Sequence, residues 1–348
     1  MPNFMRVAED DLIDGHMSLD PFPFIDFMGN NSIVTHPPNQ WSVQADQRQG
    51  LMIDRRPGSP ANEEVIRAYE KMADFCDNWE PWHLYDPTTP LYYVVNRVKG
   101  FIADVATRGA APFLHRHLYR DLTPPCIISC FSANVLYANR TPANTAMVLR
   151  ALHRSVRELV DGEAGRVGVT TPLEKLARTQ SLFLYQIIRL LDGDVILRAQ
   201  GERDMPLLHT WLDDLCRVRE NLGNCANHGS HLARQGDAVA RTPQAPGDWE
   251  GWIFAESVRR TIIIAHSFIT LYEMMKDPEQ DDDDQSPWPF VHRWTLSRHL
   301  WEADSSFTFA RMWKERPQFI IMNYSFDHFL QYGRGDDVDD FAEILLSM

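Results

Sequence analysis

From Asn62 onward apolar residues return every three or four positions, the period of a helix that lays one face on a core. Val65, Tyr69, Met72, Cys76 and Trp79 mark the first such face, behind an Asn cap followed by Glu63 and Glu64. A second face carries Leu91, Val95, Val98, Ile102 and Val105 and ends near Gly109, where a left-handed residue closes a last turn. Proline behind a polar residue marks further starts at Thr123-Pro124-Pro125, Thr141-Pro142 and Thr171-Pro172. The last continues as Thr171-Pro172-Leu173-Glu174, a capping box. The helix it opens carries Leu173, Leu176, Ala177, Gln180, Leu184, Ile187, Ile188 and Leu191, predicts a central position, and stops at Gly193. Another long helix runs from Asp248 towards Lys276, with Trp252, Ile262, Ile263 and Phe268 among its apolar positions, and ends before Pro278. Strand signals are few and unpaired, so the expected fold is all-α, a multi-helix domain of antiparallel helix pairs.

Around this periodic part the pattern changes. Residues 1–60 alternate acids with aromatic and aliphatic residues and are broken by prolines at 21, 23, 37, 38 and 57, which predicts an acidic arm. The helical domain is expected over 61–335. Within it, Asn224 to Gly247 and an acidic loop at 277–289, which holds Asp281 to Asp284, are expected as exposed connections. Residues 336–348 set Val338, Phe341 and Leu345 among acids, as in a short amphipathic helix. Two readings of that tail stand open. It packs on its own domain, or Val338, Asp339, Phe341, Ile344 and Leu345 dock into a partner's groove, as acidic-hydrophobic activation segments do.

The formal net charge of −14 argues against autonomous nucleic-acid binding, which depends on Lys and Arg neutralising phosphates. No apolar run reaches the roughly 18–20 residues of a membrane span, and the acidic start does not resemble a signal peptide. Five cysteines without C-x-x-C spacing predict reduced thiols rather than a disulfide framework.

Chemical candidates are sparse. His115 and His117, two apart, point to different faces of a helix and lack a third ligand. Cys225, His228 and His231 have a spacing that closes around zinc in a loop, but no fourth ligand accompanies them. Asp192-Gly193-Asp194 lacks the further oxygens of a calcium loop and reads as a helix stop followed by a cap. Glu256 and Arg260 form an i,i+4 pair on an ordinary solvated face, unless Arg259 is buried and ties its helix to a carboxylate elsewhere. No nucleophile elbow, phosphate loop or zincin helix is present, so no catalytic residue, cofactor or metal is assigned. A reading from another class, a helical small-molecule sensor or enzyme, places Trp82, His83, Trp211 and Trp252 around an apolar pocket between helices.

The stretch Ala177 to Asp194, ARTQSLFLYQIIRLLDGD, resembles the regulatory domain of fungal transcription factors of the binuclear zinc cluster family. So do Trp252 with Glu256 to Thr261, Pro112-Phe113-Leu114-His115 followed by Leu118-Tyr119, and Leu300-Trp301 with Ala303. The likeness spreads over roughly residues 65–315. Members usually carry six zinc-binding cysteines ahead of this domain, whereas no cysteine precedes Cys76 in this sequence, so no DNA-binding residue is carried over. The resemblance implies a transcriptional regulator or co-regulator of a secondary-metabolite gene cluster, nuclear and possible also in the cytoplasm. It implies protein partners, a DNA-binding transcription factor and the transcription machinery, a homo- or heterodimer, and no direct contact with nucleic acid or membrane.

Overall fold

The computed structural model describes residues 80–164, 170–231, 248–276, 293–322 and 324–347. The arm at 1–60, the helix expected from Asn62 and the acidic loop at 277–289 lie outside the described residues. Among those described the fold is all-α: ten α-helices and one two-stranded sheet.

Helix α1 (Pro90–Arg108) is capped by the Thr89 hydroxyl and closed by Gly109, whose φ of 62° places it in the left-handed region glycine tolerates. Helix α2 (Pro125–Ala138) follows. Helix α3 (Thr145–Ala164) begins three residues beyond Pro142, because Asn144 first takes the Thr141 amide in a turn. Helix α4 (Pro172–Leu191) has the expected capping box, Thr171 and Glu174 each accepting the other's backbone N–H. Every residue from Leu176 to Leu191 is buried, and α4 touches α1, α2 and α3 together with α5 (Val195–His231) and α6 (Trp249–Lys276). The polar members of its sequence are therefore interior groups that need partners.

Pairing along α4, α5 and α6 shows their directions. Arg178 meets Asp214 whereas Arg189, later on α4, meets Asp204, so position rises on one helix as it falls on the other. Glu202 with Tyr272 and His209 with His266 repeat the antiparallel sense between α5 and α6. Gly201 sits close against α4; a methyl group there meets Leu190 Cδ2 at 2.7 Å.

Three sequence expectations are corrected. The strand signals are paired: β1 (Arg293–Leu296) and β2 (Phe319–Met322) run antiparallel, Arg293 opposite Met322 and Leu296 opposite Phe319. They are short, and β1 lies against α6 with Trp294 and Leu296 buried, so local periodicity carried little signal. The loop expected from Asn224 starts later, because α5 continues to His231. Cys225, His228 and His231 thus occupy consecutive turns of a helix instead of a loop able to close around zinc.

After β1 come α7 (Arg298–Trp301), α8 (Ser306–Glu315), β2, α9 (Asp327–Tyr332) and α10 (Asp340–Leu346). The closing segment belongs to the main core: Phe341, Ala342, Ile344 and Leu345 are buried in the cluster that holds Phe101, Phe183 and Trp294. Val338 packs against the same cluster. The acids do structural work there as well. Asp339 Oδ1 accepts the Ala342 amide to cap α10, and Asp337, also buried, accepts the Arg334 amide. Among the described residues no helix is long and apolar enough to cross a membrane.

Candidate functional site

Helix α6 is apolar on nearly every side, so a charge in its middle has no solvated face to occupy. Glu256 and Arg260 are both fully buried there, while Arg259 is partly exposed. The sequence expectation of a solvated pair is overturned, and the buried tie falls to Arg260 instead of Arg259. One turn separates the two residues, which lets the Arg260 Nε donate to Glu256 Oε1 at 3.2 Å.

The rest of the guanidinium fork reaches other segments. Nη1 donates to the Pro112 carbonyl at 3.2 Å and Nη2 to the Thr295 carbonyl at 3.0 Å. Nη2 also lies 2.7 Å from Asp339 Oδ2. The second Glu256 oxygen takes Arg259 at 2.9 and 2.6 Å, and its first also accepts the Thr295 amide at 2.8 Å. Two carboxylates therefore face two guanidiniums, and the charges balance. Above the Arg260 plane stand the rings of Trp301 at 4.0 Å, Phe341 at 4.9 Å and Trp294 at 5.6 Å, a cation–π enclosure. Arg260 thus joins α6, β1, the 110–116 turn, α7 and the start of α10. Burial pushes the Glu256 carboxyl up, but Arg259, Arg260 and the Thr295 amide outweigh it and hold the group below its ordinary range.

A neutral junction lies beside the charged one. Gln180 of α4 donates to the Phe113 carbonyl at 3.2 Å and to Thr261 Oγ1 at 3.0 Å, and accepts the Tyr119 hydroxyl at 2.7 Å. His115 Nε2 lies 2.8 Å from the Trp301 carbonyl, and its Nδ1 accepts the His117 amide. That network places the His115 proton on Nε2 and leaves neither nitrogen for a metal. The segments that carry the resemblance, 112–119, 177–194, 252–261 and 300–303, therefore meet at one place through hydrogen bonds made by side chains, some to backbone carbonyls and some to other side chains.

Burial lowers the His115 imidazole to about 3, against the opposing bond to the Trp301 carbonyl. Burial also lowers His266, to about 4, although that ring is partly exposed. The sign follows directly. Below an ordinary imidazole value of about 6.5 the unfolded chain takes up protons that the folded chain refuses, so stability falls with pH by up to about 1.4 kcal/mol per unit for His115. Glu256 adds to the loss lower down: its contribution is complete above the unfolded value and disappears as pH falls through the depressed folded one. His115→Gln, which keeps a donor for Trp301, is expected to melt lower at pH 8 but to lose less melting temperature between pH 6.5 and 5 than the parent. Equal slopes in the two proteins would show that His115 does not set the acid response.

The remaining candidates are accounted for by structure. Asp192 accepts from Tyr137 and, at 2.7 Å, from Arg140; Gly193 turns the chain at a φ of 96°; and Asp194 caps α5 through the Ile196 and Leu197 amides. The Cys130 and Cys216 thiols are buried and pushed up to about 12 and about 11, which makes them poor nucleophiles. Among the described residues no group of three or more His, Cys, Asp or Glu is placed to hold a metal ion. Trp82 is exposed, whereas Trp211 and Trp252 are buried in different clusters, so the four aromatics proposed from sequence do not enclose one pocket. A cleft of about 420 Å³ opens elsewhere, between Arg108, the 110–116 turn, Trp301–Glu302 and residues 339–341. A second, of about 300 Å³, lies between the start of α2, the second half of α3, and α4.

The fold and site together define an all-α domain cross-tied by a buried charged junction and bordered by a small-molecule-sized cleft. Over 241 residues, 69% of this chain, the sequence is 27% identical to the transcription factor gsfR2 of Penicillium aethiopicum. The match covers 55% of that protein, so the chain spans about half the length of the relative. This is a distant homology to a fungal transcription factor. No protein-family model matches the chain, and no solved structure matches it.

Proposed function

We propose that these 348 residues act as the regulatory part of a fungal transcriptional regulator, working through protein contacts while a partner supplies the contact to DNA. The 241-residue similarity to a fungal transcription factor carries the reading. The formal net charge of −14 supports the division of labour, since a chain this acidic repels the phosphate backbone. On this reading the protein is not an enzyme, works in the nucleus and forms homo- or heterodimers. The setting of a secondary-metabolite gene cluster follows from the resemblance of the helical blocks. A partner groove that takes Val338, Asp339, Phe341, Ile344 and Leu345 first has to draw α10 out of its seat, because the domain itself buries Asp339, Phe341, Ile344 and Leu345 and packs against Val338.

Tethering tests the regulatory part. Fused to a heterologous DNA-binding domain, the chain is expected to change reporter expression several-fold in either direction relative to that domain alone. A fusion with confirmed expression and no effect would remove the proposal. The purified chain is also expected to lack nanomolar affinity for duplex DNA at physiological salt, where specific binders reach about 10⁻⁸ to 10⁻¹¹ M. Such affinity in a gel-shift titration would overturn the dependence on a partner.

A further inference from the structure

A threonine followed by proline occurs four times among the described residues, and at three of them the fold uses the threonine hydroxyl. Thr89 Oγ1 lies 2.6 and 2.9 Å from the His83 and Asp86 carbonyls and accepts the Tyr92 amide at 3.2 Å. Thr123 Oγ1 donates to the Tyr119 carbonyl at 2.8 Å, and Pro124 behind it is buried. Thr171 Oγ1 accepts the Glu174 amide at 3.2 Å and donates to Glu174 Oε2 at 2.9 Å, closing the box that starts α4.

Thr141 differs. Thr141-Pro142-Ala143-Asn144 has the layout of Thr171-Pro172-Leu173-Glu174, yet only half of a box forms. Asn144 Oδ1 accepts the Thr141 amide at 2.7 Å. The Asn144 amide goes to the Thr141 carbonyl at 3.1 Å, and the Thr141 hydroxyl makes no hydrogen bond among the described residues. The turn is also open to solvent. Of residues 138–144 all but Arg140 are exposed, and Arg140 is held by Asp192 at 2.7 Å.

We propose that Thr141 is a phosphorylation site for a proline-directed protein kinase. An apolar pocket with no partner for a backbone N–H selects proline after the acceptor, because every other residue strands its amide there. In the transfer Thr141 Oγ1 forms a bond to the γ-phosphorus of MgATP while the bond from that phosphorus to the bridging β–γ oxygen breaks. ADP leaves, and the hydroxyl proton passes to the kinase's base. No hydrogen bond of the domain has to open first, which sets Thr141 apart from the other three. The product carries a charge of about −1.5 to −2 at pH 7. It stands beside the Ala143 amide, which has no acceptor among the described residues. The phosphate takes that amide and leaves the Arg140–Asp192 tie between α2 and α4 in place.

Incubation of the purified chain with a proline-directed kinase of the mitogen-activated class and MgATP tests the site. Products are mapped by peptide mass spectrometry with fragmentation that separates Thr141 from Thr145, and synthetic peptides spanning the four Thr-Pro pairs give the unfolded rates. In the folded chain Thr141 is expected to approach the rate of its own peptide. Thr89, Thr123 and Thr171 are expected about tenfold or more below theirs, because each needs local opening first. Ser59-Pro60, Thr242-Pro243 and Ser286-Pro287 lie outside the described residues, and the map separates them from Thr141. Thr141→Ala should lose its phosphate yet melt within about 2 °C of the parent, whereas Thr171→Ala, which loses a cap, should melt about 2–4 °C lower. No phosphate on Thr141 in the folded chain, a rate there as suppressed as at the other three, or a melting loss in Thr141→Ala equal to that of Thr171→Ala each overturns the proposal.

Discussion

Arg260→Ala is expected to cost the domain about 3–5 kcal/mol, the effect of breaking a buried ion pair by removing one partner. Glu256 keeps Arg259 and the Thr295 amide, but Asp339 loses the cation 2.7 Å away and stays buried. The Pro112 and Thr295 carbonyls lose their donors, and Trp301, Trp294 and Phe341 face a cavity. Since a domain is stable by only about 5–15 kcal/mol, the variant should melt on the order of 10 °C lower or fail to accumulate as folded protein. Arg260→Lys keeps the charge without the planar fork and should fall between the two. Melting followed by circular dichroism decides the matter: an Arg260→Ala midpoint within about 2 °C of the parent would show that the junction is not what ties these segments together.

Ending the chain at Gly335 is expected to have an effect at least as large. The deletion removes Phe341, Ile344 and Leu345, each fully or almost fully buried, and burial of one such side chain is worth about 1.5–3 kcal/mol. It also removes Asp339 from Arg260 and uncovers Trp294, whose ring stands 4.9 Å from that of Phe341. The truncated chain should bind a hydrophobic dye and lose near-ultraviolet circular dichroism while keeping most of its helical signal. A segment that only serves a partner predicts the opposite, an unchanged melting curve with loss of partner capture alone.

Much of the architecture was legible in the chain itself. Helices α1, α4 and α6 announced themselves through three-and-four spacing, and their ends through local chemistry: Gly109, the Thr171–Glu174 box, and Asp194 after Gly193. These signals act within one turn of backbone, so they survive without knowledge of neighbours. The β1–β2 ladder did not show, because four-residue strands hold too few positions to display a period and their pairing joins residues more than twenty apart. The run from Asn224 to His231 read as a loop on its Asn, Gly and His content, whereas it continues the helix that α4 and α6 hold in place.

The site was legible only in part. Glu256 and Arg260 stood out as a pair, but their i,i+4 spacing read as a solvated face, and both are fully buried. The acids of the tail were read as the solvating half of an amphipathic segment, and two of them, Asp337 and Asp339, are interior. Nothing within a few positions of Asp339 tells it from Asp340, which stays half exposed and pairs with Arg97.

By itself the sequence determined the helical class, the order of the main helices and the points where they start and stop, because those depend on backbone chemistry and periodicity read over a few residues. Only the tertiary structure decided which charges are buried, that Arg260 rather than Arg259 is the tie, that the closing acids cap and neutralise instead of solvating, and where a cleft remains. Each of these depends on groups brought together from far apart in the chain, Pro112, Glu256, Thr295 and Asp339 around one guanidinium, and a desolvated charge is tolerated only where all its partners arrive at once.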